Sequence, residues 1–111
     1  MDKENFVLSV VVPCYNEISS IRRVVECILA APIQNKEIII VDDKSTDGTA
    51  KLLKEKIAPM VSRVIYHKKN KGKGGALRTG FSCATGDIII VQDADLEYDP
   101  AEYPAVFFHD T

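Results

Sequence analysis

Four short runs rich in isoleucine and valine recur along this chain: Phe6–Val12, Glu37–Val41, Val61–Tyr66 and Asp87–Val91. Three segments of helical periodicity separate them. Over 17–31, the residues Ile18, Ile21, Val24, Val25, Ile28 and Leu29 recur at steps of three and four and form one apolar stripe. Leu52, Leu53 and Ile57 form a shorter stripe over 49–58; Ala76, Leu77, Gly80, Phe81 and Ala84 form a third over 74–85. Asn16 and Asp47 are placed to cap the first two helices, Pro32 follows the first, and Gly86 ends the third. The order β-α-β-α-β-α-β predicts an α/β fold, a mostly parallel sheet with helices on both faces and right-handed crossovers. Strands buried on both faces explain why the runs are continuously apolar rather than alternating. The chain has 111 residues, enough for one domain or part of one.

Sheets of this kind bind ligands beyond the carboxyl ends of their strands. All four strand ends are followed by polar clusters, which the topology gathers on one edge. Pro13-Cys14-Tyr15-Asn16-Glu17 follows the first strand, and Asp42-Asp43-Lys44-Ser45-Thr46-Asp47-Gly48-Thr49 the second. Asn70-Lys71-Gly72-Lys73-Gly74-Gly75 follows the third and opens a helix, where backbone N–H groups and lysines attract anions. It is neither a Walker A loop nor a G-x-G-x-x-G turn. Gln92-Asp93-Ala94-Asp95-Leu96-Glu97 follows the fourth. Asp93 and Asp95, two apart past a strand end, can turn both carboxylates to one hard cation such as Mg²⁺ or Mn²⁺, with Glu97 as a third ligand or the holder of a metal-bound water. Of the acidic pair Asp42–Asp43, either member can accept hydrogen bonds from a ribose or base. Tyr15 can stack on a base or pack over the sheet edge.

Charge and cysteine usage narrow the function further. Residues 56–86 carry seven Lys or Arg and no acid; residues 87–111 carry seven acids and no Lys or Arg. The net charge is −2, against a nucleic-acid partner and in keeping with a site that holds phosphates beside a metal. Three scattered cysteines (Cys14, Cys27, Cys83) make neither a disulfide framework nor a zinc ribbon. No apolar run reaches the ~20 residues that span a bilayer, and the start MDKEN lacks the basic segment of a signal peptide, so a cytoplasmic location is expected. A phosphoacceptor signalling domain would carry its acidic pair after the first strand, and a nucleotidyltransferase would carry its glycine-rich basic loop there.

Val11-Val12-Pro13-Cys14-Tyr15-Asn16-Glu17, Val41–Thr49, Asn70–Ala76 and Gln92-Asp93-Ala94-Asp95 together resemble family 2 glycosyltransferases, with the closest look to the dolichyl-phosphate mannose or glucose synthase branch. The resemblance spans residues 7 to about 104 and implies a GT-A fold, here its nucleotide-binding half. It implies transfer of a hexose from a nucleotide-diphosphate sugar, GDP-mannose or UDP-glucose, with Mg²⁺ or Mn²⁺. The implied acceptor is a polyprenyl or dolichyl phosphate, which places the protein at the membrane face. By the same resemblance Pro13, Tyr15, Glu17, Asp42 and Asp43 surround the base and ribose. Lys73 and the Gly72–Gly75 turn lie by the diphosphate. Asp93 and Asp95 match the metal-binding Asp-x-Asp, with Asp93 also on the nucleotide and Glu97 beside the metal. Residues 1–104 are thus expected to form the nucleotide-sugar-binding part. Residues 105–111 are expected to be a tail unlike the family's continuation, with the acceptor-binding half absent. A non-catalytic nucleotide-binding fragment or interaction module is the alternative, and Phe107 and Phe108 would favour self-association.

Overall fold

The computed structural model describes residues 6–95. Strands β1 (Leu8–Cys14), β2 (Lys36–Asp42), β3 (Arg63–Tyr66) and β4 (Ile88–Val91) form one sheet in the order β3-β2-β1-β4. Every pairing is parallel, with Val10 opposite Ile38 on one side and Ile90 on the other. Helices α1 (Ile21–Ala30), α2 (Thr49–Leu52) and α3 (Gly72–Cys83) connect them. The chain builds outward from β1 to β2 and β3, then returns to place β4 on the far side of β1. This reversal opens a crevice at the carboxyl ends of β1 and β4, where ligands of open α/β sheets bind.

The pleat of β1 divides the core. Leu8, Val10, Val12 and Cys14 face α1 and the segment after α2, joined there by Ile38, Ile40 and Ile90. Ile39 and Val41 of β2 face α3 with Ala76. Each buried Ile or Val contributes roughly 1.5–3 kcal/mol of transfer free energy. The α1 stripe is buried at Ile21, Val24, Val25 and Ile28. Ile18 precedes the helix and, like Leu29, is exposed. At the end of α1 the Lys36 ammonium sits on the carbonyls of Ile28, Leu29 and Ala31 at 2.8–2.9 Å, matching charge to the helix terminus.

Two elements differ from the sequence expectation. Strand β1 runs on through Pro13 to Cys14. The Val11 carbonyl accepts from Gln92 N, so Val11 and, two residues on, Pro13 face β4, whose pairing with β1 ends at Val11. The missing proline N–H therefore falls where no partner is needed. The second helix keeps α-geometry only to Leu52. It widens to a π-helical turn over Leu53–Ile57 and tightens over Ala58–Met60, where Pro59 withdraws a donor. Leu53 and Ile57 stay fully buried.

Helix α3 approaches the sheet closely because it carries glycine at the contact. A Cβ on Gly80 would lie 2.3 Å from Val11 Cγ1. Phe81 beside it is exposed, so the third stripe is narrower than its apolar letters suggest. Among the described residues, no helix is long and apolar enough to cross a membrane.

The amino-terminal edge of the sheet is closed by one carboxylate. Glu37 accepts from Ser9 Oγ (2.6 Å), Thr85 N (2.8 Å) and Thr85 Oγ1 (2.8 Å), and Ser9 Oγ accepts from Gly86 N. Burial pushes the Glu37 carboxyl up, but the hydrogen bonds from Ser9, Thr85 and Gly86 outweigh it and hold it below the ordinary 4.5. Its contribution is therefore full above pH 4.5 and is lost as pH falls through the depressed folded value. Glu37→Ala, which orphans these donors, should cost about 1–3 kcal/mol in urea unfolding at pH 7. The gap from the parent chain should shrink as the pH drops below 4.5.

Candidate functional site

The two loops that follow β1 and β2 are laced together before either meets a ligand. Asn16 adopts a left-handed conformation (φ 54°), a geometry asparagine tolerates. Its Oδ1 accepts from Thr46 N at 2.7 Å, and its backbone N–H donates to Ser45 Oγ at 2.9 Å. Asn16 is thus a cross-link between loops; the cap position of α1 belongs to Ser20. Asp47 accepts from Ile18 N and Thr49 N, and Thr49 Oγ1 accepts from Glu17 N. Asp47 therefore serves the start of α2 as expected, from one residue before Gly48, which holds the cap position at φ 96°.

Asp42 and Asp43 have different partners although they are adjacent. Asp42 closes a turn on Ser45, accepting from its hydroxyl at 2.6 Å and its N–H at 3.2 Å. Asp43 reaches across to the loop after β3. Its Oδ1 accepts from His67 Nδ1 and Lys71 N, and its Oδ2 from Gly72 N, each at 2.8 Å. Asn70 Nδ2 adds a bond to the Asp43 carbonyl at 3.0 Å. Burial pushes the Asp43 carboxyl up, yet the hydrogen bonds from His67, Lys71 and Gly72 hold it below 3.8. It is ionised at neutral pH, so the proton of this contact rests on His67 Nδ1. His67 Nε2 lies 2.8 Å from Thr79 Oγ1 on α3. Gly72, at φ 79°, supplies the left-handed turn that starts α3. The anion at the first N–H groups of α3 is therefore the protein's own Asp43.

At the switch point these loops enclose a cavity of about 560 Å³, within the range of small-molecule sites. Pro13, Cys14, Tyr15, Glu17, Asp43, Asn70, Gly72, Lys73, Ala76, Asp93, Ala94 and Asp95 line it. The structure so gathers Pro13, Tyr15, Glu17, Asp43, Lys73, Asp93 and Asp95 of the residues singled out from the sequence. Asp42 does not line the cavity; its carboxylate is engaged by Ser45. Glu97, Phe107 and Phe108 lie outside the described residues. Tyr15 is 47% exposed and leaves its ring available on the wall. Lys73 Nζ lies 2.7 Å from Asp93 Oδ1. Ser20 Oγ donates to the Ala94 carbonyl at 2.7 Å and thereby ties the start of α1 to the Asp93–Asp95 turn.

Divalent-metal chemistry fits part of this wall. Asp95 Oδ1 is buried and has no hydrogen-bond partner among the described residues, an arrangement a bound cation would satisfy. Among the described residues, no group of three His, Cys, Asp or Glu side chains converges. Burial first, and then the charges of Asp42, Glu17 and Asp47, push the Cys14 thiol far up, which disfavours the thiolate. His67 is the member the sequence did not disclose. Its one signal is a histidine at the end of a strand that otherwise leads into lysines.

A parallel sheet with this reversal and a cavity at its switch point defines a Rossmann-like α/β fold. The chain belongs to glycosyl transferase family 2, whose sequence pattern it matches over residues 9–108. It is 37% identical over 103 residues to an undecaprenyl-phosphate 4-deoxy-4-formamido-L-arabinose transferase of Aeromonas hydrophila, covering 88% of this chain and 32% of that protein. The same enzyme of Pectobacterium carotovorum is 41% identical over 102 residues, covering 87% and 31%. Among solved structures, a mannosyltransferase of Pyrobaculum calidifontis in complex with GDP-Man and Mn²⁺ superposes with TM-score 0.72 at 31% identity, covering 79% of this chain and 27% of that one. Glucosyl-3-phosphoglycerate synthase of Mycobacterium tuberculosis, with Mn²⁺, UDP and glucosyl-3-phosphoglycerate, gives TM-score 0.72 at 29% identity, covering 92% and 38%. The chain spans about a third of the length of the curated relatives. The fold is that of the GT-A glycosyltransferases expected from the sequence.

Asp43→Asn would set an amide N–H₂ against backbone N–H donors. Hydrogen exchange at the Lys71 and Gly72 amides should accelerate about tenfold or more, with a stability loss of about 1–3 kcal/mol.

Proposed function

We propose that this chain forms the donor-binding part of a glycosyltransferase. The donor is a nucleotide-diphosphate sugar, with GDP-mannose and UDP-glucose the two candidates, and the acceptor is a polyprenyl phosphate at the membrane surface. The observation that carries the reading is the cavity wall itself. Glu17, Asp43, Asp93 and Asp95 line it with Lys73 as the basic side chain among its described residues. An anionic diphosphate enters such a wall only together with a cation, and the orphaned Asp95 Oδ1 gives that cation a place. Asp95 and Asp93 would hold Mg²⁺ or Mn²⁺, which when bound supplies counter-charge to the diphosphate leaving group.

The residues of this chain divide the remaining work. Tyr15 and Pro13 offer an apolar wall to the base, and Glu17 an acceptor to the ribose. Asp43 is held by three N–H groups and keeps one lone pair of Oδ2 for a base N–H. Lys73, on the cavity wall in the first turn of α3, receives the diphosphate through its ammonium. The names of the undecaprenyl-phosphate relatives support a polyprenyl phosphate acceptor. Its phosphate oxygen, already anionic, forms the new bond to the sugar carbon as the bond to the diphosphate oxygen breaks.

Calorimetric titration of the chain with GDP and with UDP, each with and without Mn²⁺, tests the donor site. Binding of one nucleotide should require Mn²⁺ and should fall at least about a hundredfold in Asp95→Ala, the loss of a charged ligand to a buried ion. Unchanged binding in Asp95→Ala would place the metal elsewhere. Binding of neither nucleotide to the parent chain would defeat the assignment.

A further inference from the structure

The Lys73–Asp93 pair joins two side chains that the donor site needs for different ligands. Lys73 stands in the first turn of α3, and Asp93 two residues past β4; Nζ and Oδ1 are 2.7 Å apart. The side chains are 60% and 33% exposed. Asp93 is thus occupied by a protein cation, whereas Asp95 Oδ1, two residues on, has no hydrogen-bond partner among the described residues. An ammonium on a flexible four-carbon stem is a good temporary occupant: it neutralises one carboxylate, and the stem lets the head group turn to another partner. Exposed pairs of this type shift an equilibrium by no more than about fivefold, so a stronger ligand for either member breaks them.

We infer that Lys73 is a tethered stand-in for the metal: it holds Asp93 while the site is empty, is displaced when a divalent ion takes Asp93 and Asp95, and then transfers its charge to the arriving diphosphate. The inference rests on the donor-site function proposed above and adds to it a sign that differs between the two ligands. Lys73 opposes the metal alone, because it competes for Asp93 and repels a second cation at short range. It favours the nucleotide once the metal is present, because the released ammonium gains a diphosphate partner. Metal and nucleotide then bind with positive coupling, each removing a cost from the other.

The test is calorimetric titration of the chain with Mn²⁺ alone, then with GDP and UDP at saturating Mn²⁺, for the parent, Lys73→Met and Lys73→Gln. Lys51→Met, an exposed lysine on α2, controls for the loss of one positive charge at a distance. Both Lys73 variants should bind Mn²⁺ alone on the order of fivefold more tightly than the parent. They should bind the nucleotide at saturating Mn²⁺ about tenfold more weakly. Lys51→Met should change neither by more than about twofold. Thermal melting of each variant reports folding, and Lys73→Gln, which keeps a hydrogen-bonding head, serves if Lys73→Met melts early. Mn²⁺ affinity that is unchanged or lower in both Lys73 variants overturns the inference while leaving the donor site standing. A parent chain whose nucleotide binding ignores Mn²⁺ overturns the donor-site function and the inference together, and the parent titration alone reveals that case.

Discussion

A carboxylate that is 3% exposed has to be matched, and Asp43 is matched by groups that lie 24, 28 and 29 residues further along the chain. Its three N–H donors come from the end of β3, from the loop and from the first residue of α3. The end of β2, the end of β3 and the start of α3 are therefore held as one body. The cavity at the switch point inherits its shape from that arrangement, because Gly72, Lys73 and Ala76 reach the wall only where α3 begins. His67 is the keystone on the buried side: it meets Asp43 through one ring nitrogen and Thr79 of α3 through the other. Removing any one donor would leave charge in a place where water does not compensate it.

The opposite edge of the sheet shows the same device used for another purpose. Glu37 gathers Ser9, Thr85 and the turn before β4, and so fixes where β4 enters beside β1. Each end of the sheet is organised by one carboxylate whose depressed pKa reflects hydrogen bonds that outweigh burial. The two differ in what lies next to them. Glu37 closes against its own turn. Asp43 stands at the wall of a cavity.

The strands, their order along the chain and the edge that carries the site were legible because isoleucine and valine runs with helical spacers leave few topologies open. The partition of roles within that edge was less legible. Asp42 and Asp43 are the same residue type side by side, and a one-residue step along an extended chain reverses the side a carboxylate faces. That step decides between a turn on Ser45 and a loop 28 residues away, and no local signal carries it. Asn16 fits both a helix cap and a left-handed turn, since a short amide side chain serves either; the position of Thr46, set by β2, selects the turn. His67 was silent because its meaning comes entirely from Asp43 and Thr79, which only the folded sheet brings to it. Gly80 was read as part of an apolar stripe, whereas its value is the absent Cβ that lets α3 reach Val11.

The same geometry explains why acidic and basic segments follow one another in this chain. The loop after β3 and the start of α3 carry the lysines, and the loop after β4 carries the aspartates. The topological reversal sets these two loops on opposite walls of one crevice. Acid alone there would exclude a diphosphate, and base alone would leave no seat for a metal. With both, the walls neutralise each other across the gap through Lys73 and Asp93 while the crevice is empty. Under the proposed donor-site function, each wall is then freed by the ligand that suits the other. With Glu17, Asp43, Asp93 and Asp95 set against Lys73, the described wall keeps a net negative charge, so under the proposed donor-site function the charge of a metal is what admits a diphosphate.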